Sequence, residues 1–535
     1  MNRRHLLALI LLLALALRLP NIESIPKWDW DEGSFHNVAA NLAQGRAQMF
    51  AVRYAWVPQP PGYFLLAAEA IRVAGDSIAT TRLLSVSLGM LTIILLYHLG
   101  KEVQGTKAGL AAALIYAVYP KAIYWDRVAL PYDLLVVFST ALLYFTVRYA
   151  KRGERGSLIA TITLLNLTLL TGYYSIVFNA ATYILVYWYR REDTVKVISL
   201  SLMLPALFLA YMAYSGSLGY FIDDLGGHTR IQSPAFWVLA AMVPITLAVI
   251  ARSGRLRDRF LDSVYVGKGT PVLGIFLAYL PLLLLIPLVA PTDERMFYGL
   301  IDFLWVASVL GLACIDDVRD RAAIWSFYVS YLVVLLSFGR TDHMIIPLHP
   351  ILALGAGMII SKMLDKRQEY SLRLGQIIGW KVPTILVAAL IIAPAPALLV
   401  QDVDTFILKH GISEAPIAQA KRMAEIVNAD TLDGDVVVTY SYLAPLTRGR
   451  ATIVIQSLAY EGYRVSYQQP LPQDRFLYNA SIAKAKYLII PEGLADEFEK
   501  LGYGKAVEEM RGFDLVEEGP SIESDPAYQV YRKKR

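Results

Sequence analysis

The sequence predicts a polytopic α-helical membrane protein with about thirteen transmembrane helices, interfacial helices in the first outer loop and a small C-terminal soluble α/β domain. Two observations carry this prediction. Of the 535 residues, 56% are hydrophobic and only 18% are charged, whereas soluble proteins average about 25% charged residues. The apolar runs also concentrate between residues 5 and 400, while residues 401–535 have an ordinary mixed composition. The two parts of the chain therefore require two different solvents.

Apolar runs of bilayer length define the predicted spans, because a hydrocarbon core about 30 Å thick needs about 20 apolar residues per helix. The predicted spans are 5–19, 78–98, 108–124, 132–148, 157–172, 173–189, 195–213, 234–251, 271–290, 296–315, 322–337, 345–364 and 381–400. The first span follows a basic start at Arg3 and Arg4, and no small-residue cleavage site comes after it. We predict an uncleaved helix there, with a signal peptide as the alternative.

The lysines and arginines of the loops predict the orientation of the chain. With a cytoplasmic N-terminus, most basic residues of the short loops fall on the inner side, as the positive-inside rule requires. An odd number of spans then places the tail outside. The sequence thus predicts a transmembrane domain, residues 1–400, and an extracytoplasmic domain, residues 401–535, in the plasma membrane.

Composition also excludes several classes of function. The net charge of +5 is carried by short loops between apolar runs, so it does not indicate nucleic-acid binding. The single cysteine, Cys314, lies in an apolar run and excludes both an intramolecular disulfide and a cysteine metal site.

The first outer loop, residues 20–77, carries two short amphipathic patterns. Apolar residues recur at helical spacing from Phe35 until Gly45, and a similar stretch runs from Pro61 to Val73. Both stretches are too short to span a bilayer. They predict helices that lie in the membrane interface.

The tail alternates helix and strand patterns, which predicts a small α/β domain. We predict a helix over 417–427 and strands over 436–440, 451–455, 487–490 and 528–531. The tail contains no glycine-rich phosphate loop and no catalytic motif. It does contain Asn479-Ala480-Ser481, an acceptor sequence for N-glycosylation.

Adjacent carboxylates open the first interfacial helix at Asp31 and Glu32. Acids in a first turn cap a helix and complement its dipole, by about 0.3–1 kcal/mol. However, this pair lies beside Trp28 and Trp30 at the membrane surface, where a charge defaults to function. One carboxylate could deprotonate an acceptor hydroxyl while the other binds a metal ion or orients the first.

Three further segments carry polar residues on the predicted outer side. Asp126-Arg127 precedes the fourth span, and Asp133 falls in its first turn after Pro131. The other two segments are Gln59-Pro60-Pro61-Gly62-Tyr63, at the start of the second interfacial helix, and the stretch from Arg340 to Pro350, which contains His343 and His349. Capping and plain turns remain the structural alternatives for all three.

These four features, in this order, resemble the GT-C class of integral membrane glycosyltransferases. The similarity is to the protein O-mannosyltransferase and lipid A aminoarabinose transferase families. It rests on Asp31-Glu32, Pro60-Pro61, Arg127 to Asp133 and Arg340 to Pro350, and covers about residues 1–365. The resemblance implies transfer of a sugar from a polyprenyl-phosphate donor to a lipid, glycan or protein acceptor on the outer face, with inversion at the anomeric carbon.

The resemblance also implies roles for residues. Asp31 would be the base or acceptor-binding acid and Glu32 would assist it. Asp133 would hold the acceptor or, with Asp31, a divalent metal such as Mg²⁺ or Mn²⁺, although the resemblance is compatible with a reaction that needs no cofactor. Arg127 and Arg340 would bind the donor phosphate.

One departure from the family pattern concerns the residue before Pro-Pro. Many relatives have a lysine or histidine there, which contacts the donor phosphate, and this chain has Gln59. Arg53, Arg340 or His343 would then take over that contact, or the donor differs.

Two other classes of function remain open on the sequence. The first is a multi-pass transporter or flippase whose acids line a pathway, although no repeat relates the two halves and the acids gather on one side. The second is a catalytically silent membrane scaffold with a binding tail.

Overall fold

The protein is described here by a computed structural model, which covers residues 3–23, 30–45, 60–172, 175–219, 221–222, 308, 311–312, 315–338, 342–365, 415–439, 443–464, 472–476, 478–518 and 528–534. The predicted spans 234–251, 271–290 and 381–400 lie outside these residues, as does most of 296–315.

Helices make up the described chain as far as residue 365. They are α1 (Arg3–Arg18), α2 (Trp30–Ala43), α3 (Gly62–Ala74), α4 (Ile78–Gln104), α5 (Thr106–Val118), α6 (Pro120–Trp125), α7 (Pro131–Arg152), α8 (Arg155–Leu169), α9 (Ile176–Tyr189), α10 (Thr194–Ser201), α11 (Met203–Tyr214), α12 (Val318–Phe338) and α13 (His349–Asp365). A 3₁₀ segment, Asp342–Leu348, leads into α13.

The described helices support the prediction of a membrane protein. Three stretches are long and apolar enough to cross a bilayer, namely α4, α7 and the segment Arg191–Tyr214, and four shorter apolar helices accompany them. Leucines on α1 and α11 are exposed, which an apolar solvent would accommodate. The number thirteen stays a prediction.

Two of the predicted spans contain a break in the helix near a proline. The predicted single helix 108–124 is wrong, because α5 ends at Val118 and α6 begins at Pro120. Proline has no N–H to donate and clashes with the preceding turn, so it starts a new helix. The stretch 195–213 also contains a break, at Leu202, three residues before Pro205 of α11, but it remains within the candidate crossing Arg191–Tyr214.

Small residues let the helices at the centre approach closely. A Cβ atom on Gly100 of α4 would lie 2.7 Å from the Cα atom of Gly109 in α5. A Cβ atom on Gly357 of α13 would lie 2.6 Å from the backbone nitrogen of Ala112. Such contacts between small residues are typical of helix packing in membranes.

The two helices predicted in the first loop are present, and their position in the membrane interface stays a prediction. The first, α2, ends before Gly45, which adopts φ 66°, a conformation that glycine permits. The second, α3, follows Pro61, and the two pack against each other through Phe35 and Phe64, whose ring centroids are 5.6 Å apart.

The tail is an α/β domain built on one mixed sheet. Its helices are α14 (Ala415–Asn428), α15 (Val454–Tyr460), α16 (Leu494–Lys500) and α17 (Gly504–Met510), and its strands are β1 (Val436–Thr439), β2 (Arg450–Ile453), β3 (Ala485–Pro491), β4 (Phe513–Glu518) and β5 (Tyr528–Lys533). The strand order is β2-β1-β3-β5-β4. β1 is parallel to both neighbours, whereas β5 is antiparallel to β3 and β4.

The predicted helix 417–427 and four predicted strands are confirmed, with one shortened. The predicted strand 451–455 ends at Ile453 because α15 starts at Val454. β4 was not predicted. It is an edge strand whose residues after Phe513 are mostly exposed, so it lacks the apolar pattern of a buried strand.

Side-chain contacts join the tail to the first loop. Ile78, the first residue of α4, is buried in an apolar cluster with Ala420, Met423 and Leu443 of the tail. Lys421 of α14 also pairs with Glu23, with 3.0 Å between Nζ and Oε1. The boundary near residue 401 lies outside the described residues and stays a prediction.

Candidate active site

The C-terminal end of α1, the N-terminal ends of α2, α4 and α7, and the segment between α6 and α7 come together in one region. We call this region the site end; it contains Arg18, Asp31, Glu32, Arg82 and the segment from Asp126 to Asp133. The other ends of α4 and α7, with Glu102 and residues 148–154, form the opposite end.

Glu32 is fully buried, and both oxygens of its carboxylate accept hydrogen bonds. The Arg82 guanidinium donates to both oxygens, from Nε to Oε1 and from Nη2 to Oε2, each at 2.7 Å. The backbone nitrogen of Ala129 donates to Oε1 at 2.9 Å. Both side chains are 0% exposed. This bidentate pair fixes α2 to α4 and to the segment before α7, so the geometry gives Glu32 a positioning role.

A second buried ion pair joins α1 to the end of α6. Arg18 donates from Nε to Oδ2 of Asp126 at 2.8 Å, and the Tyr116 hydroxyl donates to Oδ1 at 3.2 Å. Arg18 also donates to the carbonyl oxygen of Ala117 at 2.7 Å. Gly89 makes room for this pair, because a Cβ atom there would lie 2.3 Å from Oδ2 of Asp126.

Arg127 differs from Arg18 and Arg82 because it pairs with no carboxylate among the described residues. It is 7% exposed and donates from Nη2 to the carbonyl oxygen of Pro20 at 2.5 Å, while its Nε has no hydrogen-bond partner in the described part of the chain. Burial, followed by the positive charges of Arg82 and Arg18, lowers the pKa of Arg127 to about 10. A guanidinium so placed gains from a nearby anion.

Asp31 neighbours Glu32 in the first turn of α2 but is not buried to the same degree. Glu32 is fully buried, whereas Asp31 remains partly exposed. Both acids lie at the N-terminus of α2, where negative charge is favoured. The same turn thus presents one carboxylate committed to structure and one with access to solvent.

Asp133 lies in the first turn of α7, after Pro131 at the helix start. It is 2% exposed, and neither carboxylate oxygen has a hydrogen-bond partner among the described residues. A buried carboxylate without partners is costly and rare in folded proteins. The geometry therefore indicates that Asp133 is placed to bind a polar group of a ligand.

The Pro60-Pro61 motif leads into a tight approach between α3 and the end of α8. Gly62 donates its N–H to the carbonyl oxygen of Leu170 at 2.8 Å, and a Cβ atom on Gly62 would lie 2.8 Å from that same oxygen. Glycine is thus required, and the turn delivers the buried Tyr63 to the site end.

The late motif reaches the same region through its 3₁₀ segment. Ile346 is buried in one apolar cluster with Val128 and Leu130, which lie between Arg127 and Asp133 in the chain. His349 follows, fully buried, with its ring 5.2 Å from that of Tyr119. Four predicted site residues are not covered: Arg53, Gln59 and Arg340 lie outside the described residues, and so does the side chain of His343.

The described residues do not form a built metal site. No group of three or more histidine, cysteine, aspartate or glutamate side chains gathers at a distance suited to a metal ion within the described chain. Mg²⁺ and related cations prefer several oxygen ligands, of which Asp31 and Asp133 would supply two. Metal binding by these two residues stays a prediction, and no step below depends on it.

Sequence reasoning missed two residues of the site end, Arg18 and Arg82. The two arginines stand at the ends of apolar helices, and a charge at membrane depth signals function by default. That signal could have selected them. Their partners could not have been read from the sequence, since the pairs join residues 50 and 108 positions apart.

The comparisons with known proteins agree with this architecture. Residues 58–215 match the family model described as dolichyl-phosphate-mannose-protein mannosyltransferase. A search of curated protein sequences finds no significant match.

Three solved structures share the fold at low sequence identity. ArnT from Cupriavidus metallidurans bound to undecaprenyl phosphate matches with TM-score 0.59 and 13% identity, covering 98% of this chain and 97% of that one. The Archaeoglobus fulgidus oligosaccharyltransferase in the apo form matches with TM-score 0.56 and 12% identity, covering 100% and 74%. Archaeal AglB from Archaeoglobus fulgidus, in complex with an inhibitory peptide and a dolichol-phosphate, matches with TM-score 0.52 and 13% identity, covering 100% and 74%.

The fold is therefore that of the GT-C class of integral membrane glycosyltransferases. Within that class, the resemblance to the protein O-mannosyltransferase and lipid A aminoarabinose transferase families is confirmed. The region of the family match contains Pro60-Pro61, Arg127 and Asp133.

Proposed function

We propose that the protein transfers a sugar from a polyprenyl-phosphate donor, dolichyl or undecaprenyl phosphate, to an acceptor on the outer face of the plasma membrane, with inversion. One observation carries the proposal: among the described residues, the buried Arg127 pairs with no carboxylate and leaves its Nε without a hydrogen bond, and neither oxygen of the buried Asp133 has a partner. The carboxylates of Glu32 and Asp126, in contrast, both accept hydrogen bonds from arginines. A phosphate and a sugar or acceptor hydroxyl are the groups that Arg127 and Asp133 would take.

Arg127 is the first candidate for the donor phosphate. Guanidinium groups bind phosphate through charge-assisted hydrogen bonds, and Arg127 has its Nε uncommitted among the described residues. Arg53, Arg340, His343 and Gln59 are the further candidates. The relatives named above were solved with undecaprenyl phosphate and with a dolichol-phosphate, which supports a lipid-phosphate donor for this chain.

Asp31 is the candidate base. In the proposed step an acceptor oxygen attacks the anomeric carbon, and the bond from that carbon to the phosphate oxygen breaks. The electron pair of that bond leaves with the lipid phosphate, where Arg127 stabilises the charge. The proton of the acceptor passes to the Asp31 carboxylate. Glu32 would assist by holding the turn of α2 in place, and Asp133 would hold the acceptor or a sugar hydroxyl.

A transporter or flippase is not favoured, since the matched family and structures are glycosyltransferases. The acceptor, whether lipid, glycan or protein, is decided by experiment. The N-terminus would lie in the cytoplasm and the tail outside, so that the proposed site end and the tail share one side of the membrane.

The experiment that tests the proposal follows both halves of a radiolabelled donor. Protein in lipid nanodiscs is given a polyprenyl-phosphate hexose that carries distinguishable labels in the sugar and in the lipid, together with a membrane extract as the source of acceptors. A glycosyltransferase yields labelled acceptor and an equal amount of free polyprenyl phosphate. A transporter or a silent scaffold leaves the sugar–phosphate bond intact, which would overturn the proposal.

A further inference from the structure

A buried tyrosine stands next to the candidate acids without a hydrogen bond. Tyr63 follows Pro60-Pro61-Gly62 in the first turn of α3, and its side chain is 1% exposed. Its hydroxyl has no hydrogen-bond partner among the described residues. A buried tyrosine hydroxyl normally makes a hydrogen bond, so this exception needs a physical explanation.

Three helices bring three such groups together. Tyr63 comes from α3, Ser85 from α4 and Asp133 from α7. Tyr63 packs in one buried cluster with Leu88, three residues after Ser85, and with Leu134, which follows Asp133. The Ser85 hydroxyl lies near both Tyr63 and Asp133. By distance and angle, none of the three groups completes a hydrogen bond within the described chain. All three side chains are at most 2% exposed.

Neighbouring groups do not satisfy this trio. The oxygens of Glu32 are occupied by Arg82 and by the Ala129 N–H, so Glu32 is committed elsewhere. Phenol and serine hydroxyls both donate and accept, whereas an ionised carboxylate only accepts. Two donors and a carboxylate side by side match a hydroxyl-bearing ligand, whose O–H groups donate to the carboxylate and accept from the donors.

We propose that Tyr63, Ser85 and Asp133 form a pocket for a sugar hydroxyl, in which Tyr63 is a specificity-determining residue. This inference rests on the proposed function and deepens it. A sugar hydroxyl could come from the glycosyl group of the donor or from a glycan acceptor; the chemistry recognised is the same. A site built to hydrogen-bond a hydroxyl discriminates strongly against an analogue that lacks it.

The test compares Tyr63→Phe with wild type on matched substrates. The substitution removes one oxygen and keeps the ring, so the fold persists. We expect kcat/KM for the natural donor to fall by at least about tenfold, as befits the loss of a hydrogen bond to a bound polar group. Tyr183→Phe is the matched control: its hydroxyl bonds to Ser201 at 2.7 Å, between α9 and α10, and it should leave kcat/KM unchanged.

Deoxy substrates then identify which hydroxyl is bound. With wild type, the one donor or acceptor analogue that lacks the recognised hydroxyl loses activity, and with Tyr63→Phe the same analogue loses no more. Loss confined to a deoxy donor locates the pocket on the glycosyl group, and loss confined to a deoxy acceptor locates it on the acceptor. If Tyr63→Phe matches wild type on every substrate, the inference is wrong.

A binding measurement separates this inference from the proposed function. The increase in thermal unfolding temperature caused by polyprenyl-phosphate hexose, relative to the same donor without the relevant hydroxyl, is recorded for wild type and Tyr63→Phe. A wild type that binds and discriminates but transfers no sugar defeats the proposed function alone. Equal discrimination by both proteins defeats the pocket alone.

An independent observation concerns the tail. Asn479 is exposed, while Ala480 and Ser481 of the same sequon are buried. The carbonyl oxygen of the Asn479 side chain accepts from the Ser481 N–H at 3.1 Å and from its hydroxyl at 2.7 Å. The carboxamide nitrogen, to which a glycan would be joined, stands outside this pair of hydrogen bonds.

The chain contains a second sequon that supplies the contrast. Asn166-Leu167-Thr168 lies in α8, where Asn166 is 5% exposed and its amide nitrogen donates to Ile162 and Leu200 carbonyl oxygens at 2.9 and 3.0 Å. That nitrogen is committed to helix packing. Of the two sequons, only the one in the tail offers an accessible amide.

We infer that Asn479 is an N-glycosylation site of this protein. The bond formed joins Nδ2 of Asn479 to the anomeric carbon of a lipid-linked oligosaccharide; the bond from that carbon to the carrier phosphate breaks, and Nδ2 loses a proton. The modification is performed by a separate transferase of the membrane, so this inference does not depend on the proposed function.

The test is glycopeptide mass spectrometry on the protein purified from its native membrane. Wild type and Ser481→Thr, which keeps the sequon, should carry a glycan on Asn479, and Ser481→Ala and Asn479→Gln should not. The Asn166 peptide should be unmodified in all four proteins and serves as the internal control. An unmodified Asn479 peptide in wild type overturns the inference.

Discussion

The two ends of α4 and α7 both carry ion pairs, but they differ in burial. At the site end, Glu32–Arg82 and Arg18–Asp126 are at most 2% exposed. At the opposite end, the arginines of the pairs Arg152–Glu102 and Arg148–Glu154 are roughly a third to a half exposed. A further pair there, Lys151–Asp320, joins a buried carboxylate to a lysine that is 21% exposed. Exposed ion pairs contribute little to the free energy of unfolding. Burying an ion pair carries a desolvation cost that can exceed its coulombic gain. Buried ion pairs beside polar groups that lack hydrogen bonds therefore indicate a role other than stability.

The largest expected effect breaks the buried pair of the site end. Arg82→Met leaves Glu32 buried without its partner, which should lower the free energy of unfolding in detergent by about 3–5 kcal/mol. Arg152→Met at the opposite end should change it far less, because the Arg152 side chain is 48% exposed and its ion pair is screened by solvent. Denaturant unfolding of both variants measures the difference. A loss for Arg82→Met no greater than that for Arg152→Met would remove the distinction between the two ends.

A smaller effect on stability is expected when the glycine beside the buried pair Arg18–Asp126 is replaced. Gly89→Ala places a Cβ atom where Asp126 now lies, so that the carboxylate must leave Arg18. Overpacking of this kind costs about 1–3 kcal/mol. Gly156→Ala in α8 meets no atom within 4 Å and should stabilise by about 0.5–1 kcal/mol through helix propensity. Equal unfolding midpoints for the two variants would show that the Arg18–Asp126 pair tolerates displacement.

The smallest expected effect lies in the tail and depends on pH. Glu461 accepts from the Ile482 N–H at 3.0 Å, and burial, followed by the adjacent Glu509, raises the pKa of Glu461 from 4.5 to about 7. Between those values the folded domain holds more protons than the unfolded chain, so its stability falls as pH rises through that window. Glu461→Gln should flatten this dependence and add about 1 kcal/mol at pH 8, once solvent screening is allowed for.

Thermal unfolding of the tail between pH 4 and pH 8 measures this effect. Asp433→Asn, in an exposed turn, is the matched control and should retain the wild-type pH dependence. A Glu461→Gln variant whose unfolding temperature falls with pH as steeply as that of wild type would contradict the assignment.

Sequence reasoning recovered what depends on local pattern. The interfacial helices α2 and α3, the helix start at Pro131 and most of the sheet followed from periodicity and turn chemistry. Asp31 and Asp133 stood out because charges near a membrane are costly. These features are encoded within one or two turns of chain.

The features that escaped sequence reasoning depend on distant partners or on missing pattern. Nothing near Glu32 in the chain shows that Arg82, 50 residues later, would fill its carboxylate and leave Asp31 as the accessible acid. Pro120 divides a span that hydropathy joins. β4, with its exposed side chains, carries no apolar alternation to find.

The account's central claim is that the first turn of α2 separates structure from chemistry: Glu32 holds the turn and Asp31 acts on the substrate. The rate of polyprenyl phosphate release from a labelled donor, measured for wild type, Asp31→Asn and the control Asp433→Asn, tests it most directly. We predict that Asp31→Asn is slower by at least about 100-fold with an unchanged unfolding temperature, as for loss of a general base, and that the control keeps the wild-type rate. Release by Asp31→Asn at the wild-type rate would contradict the account.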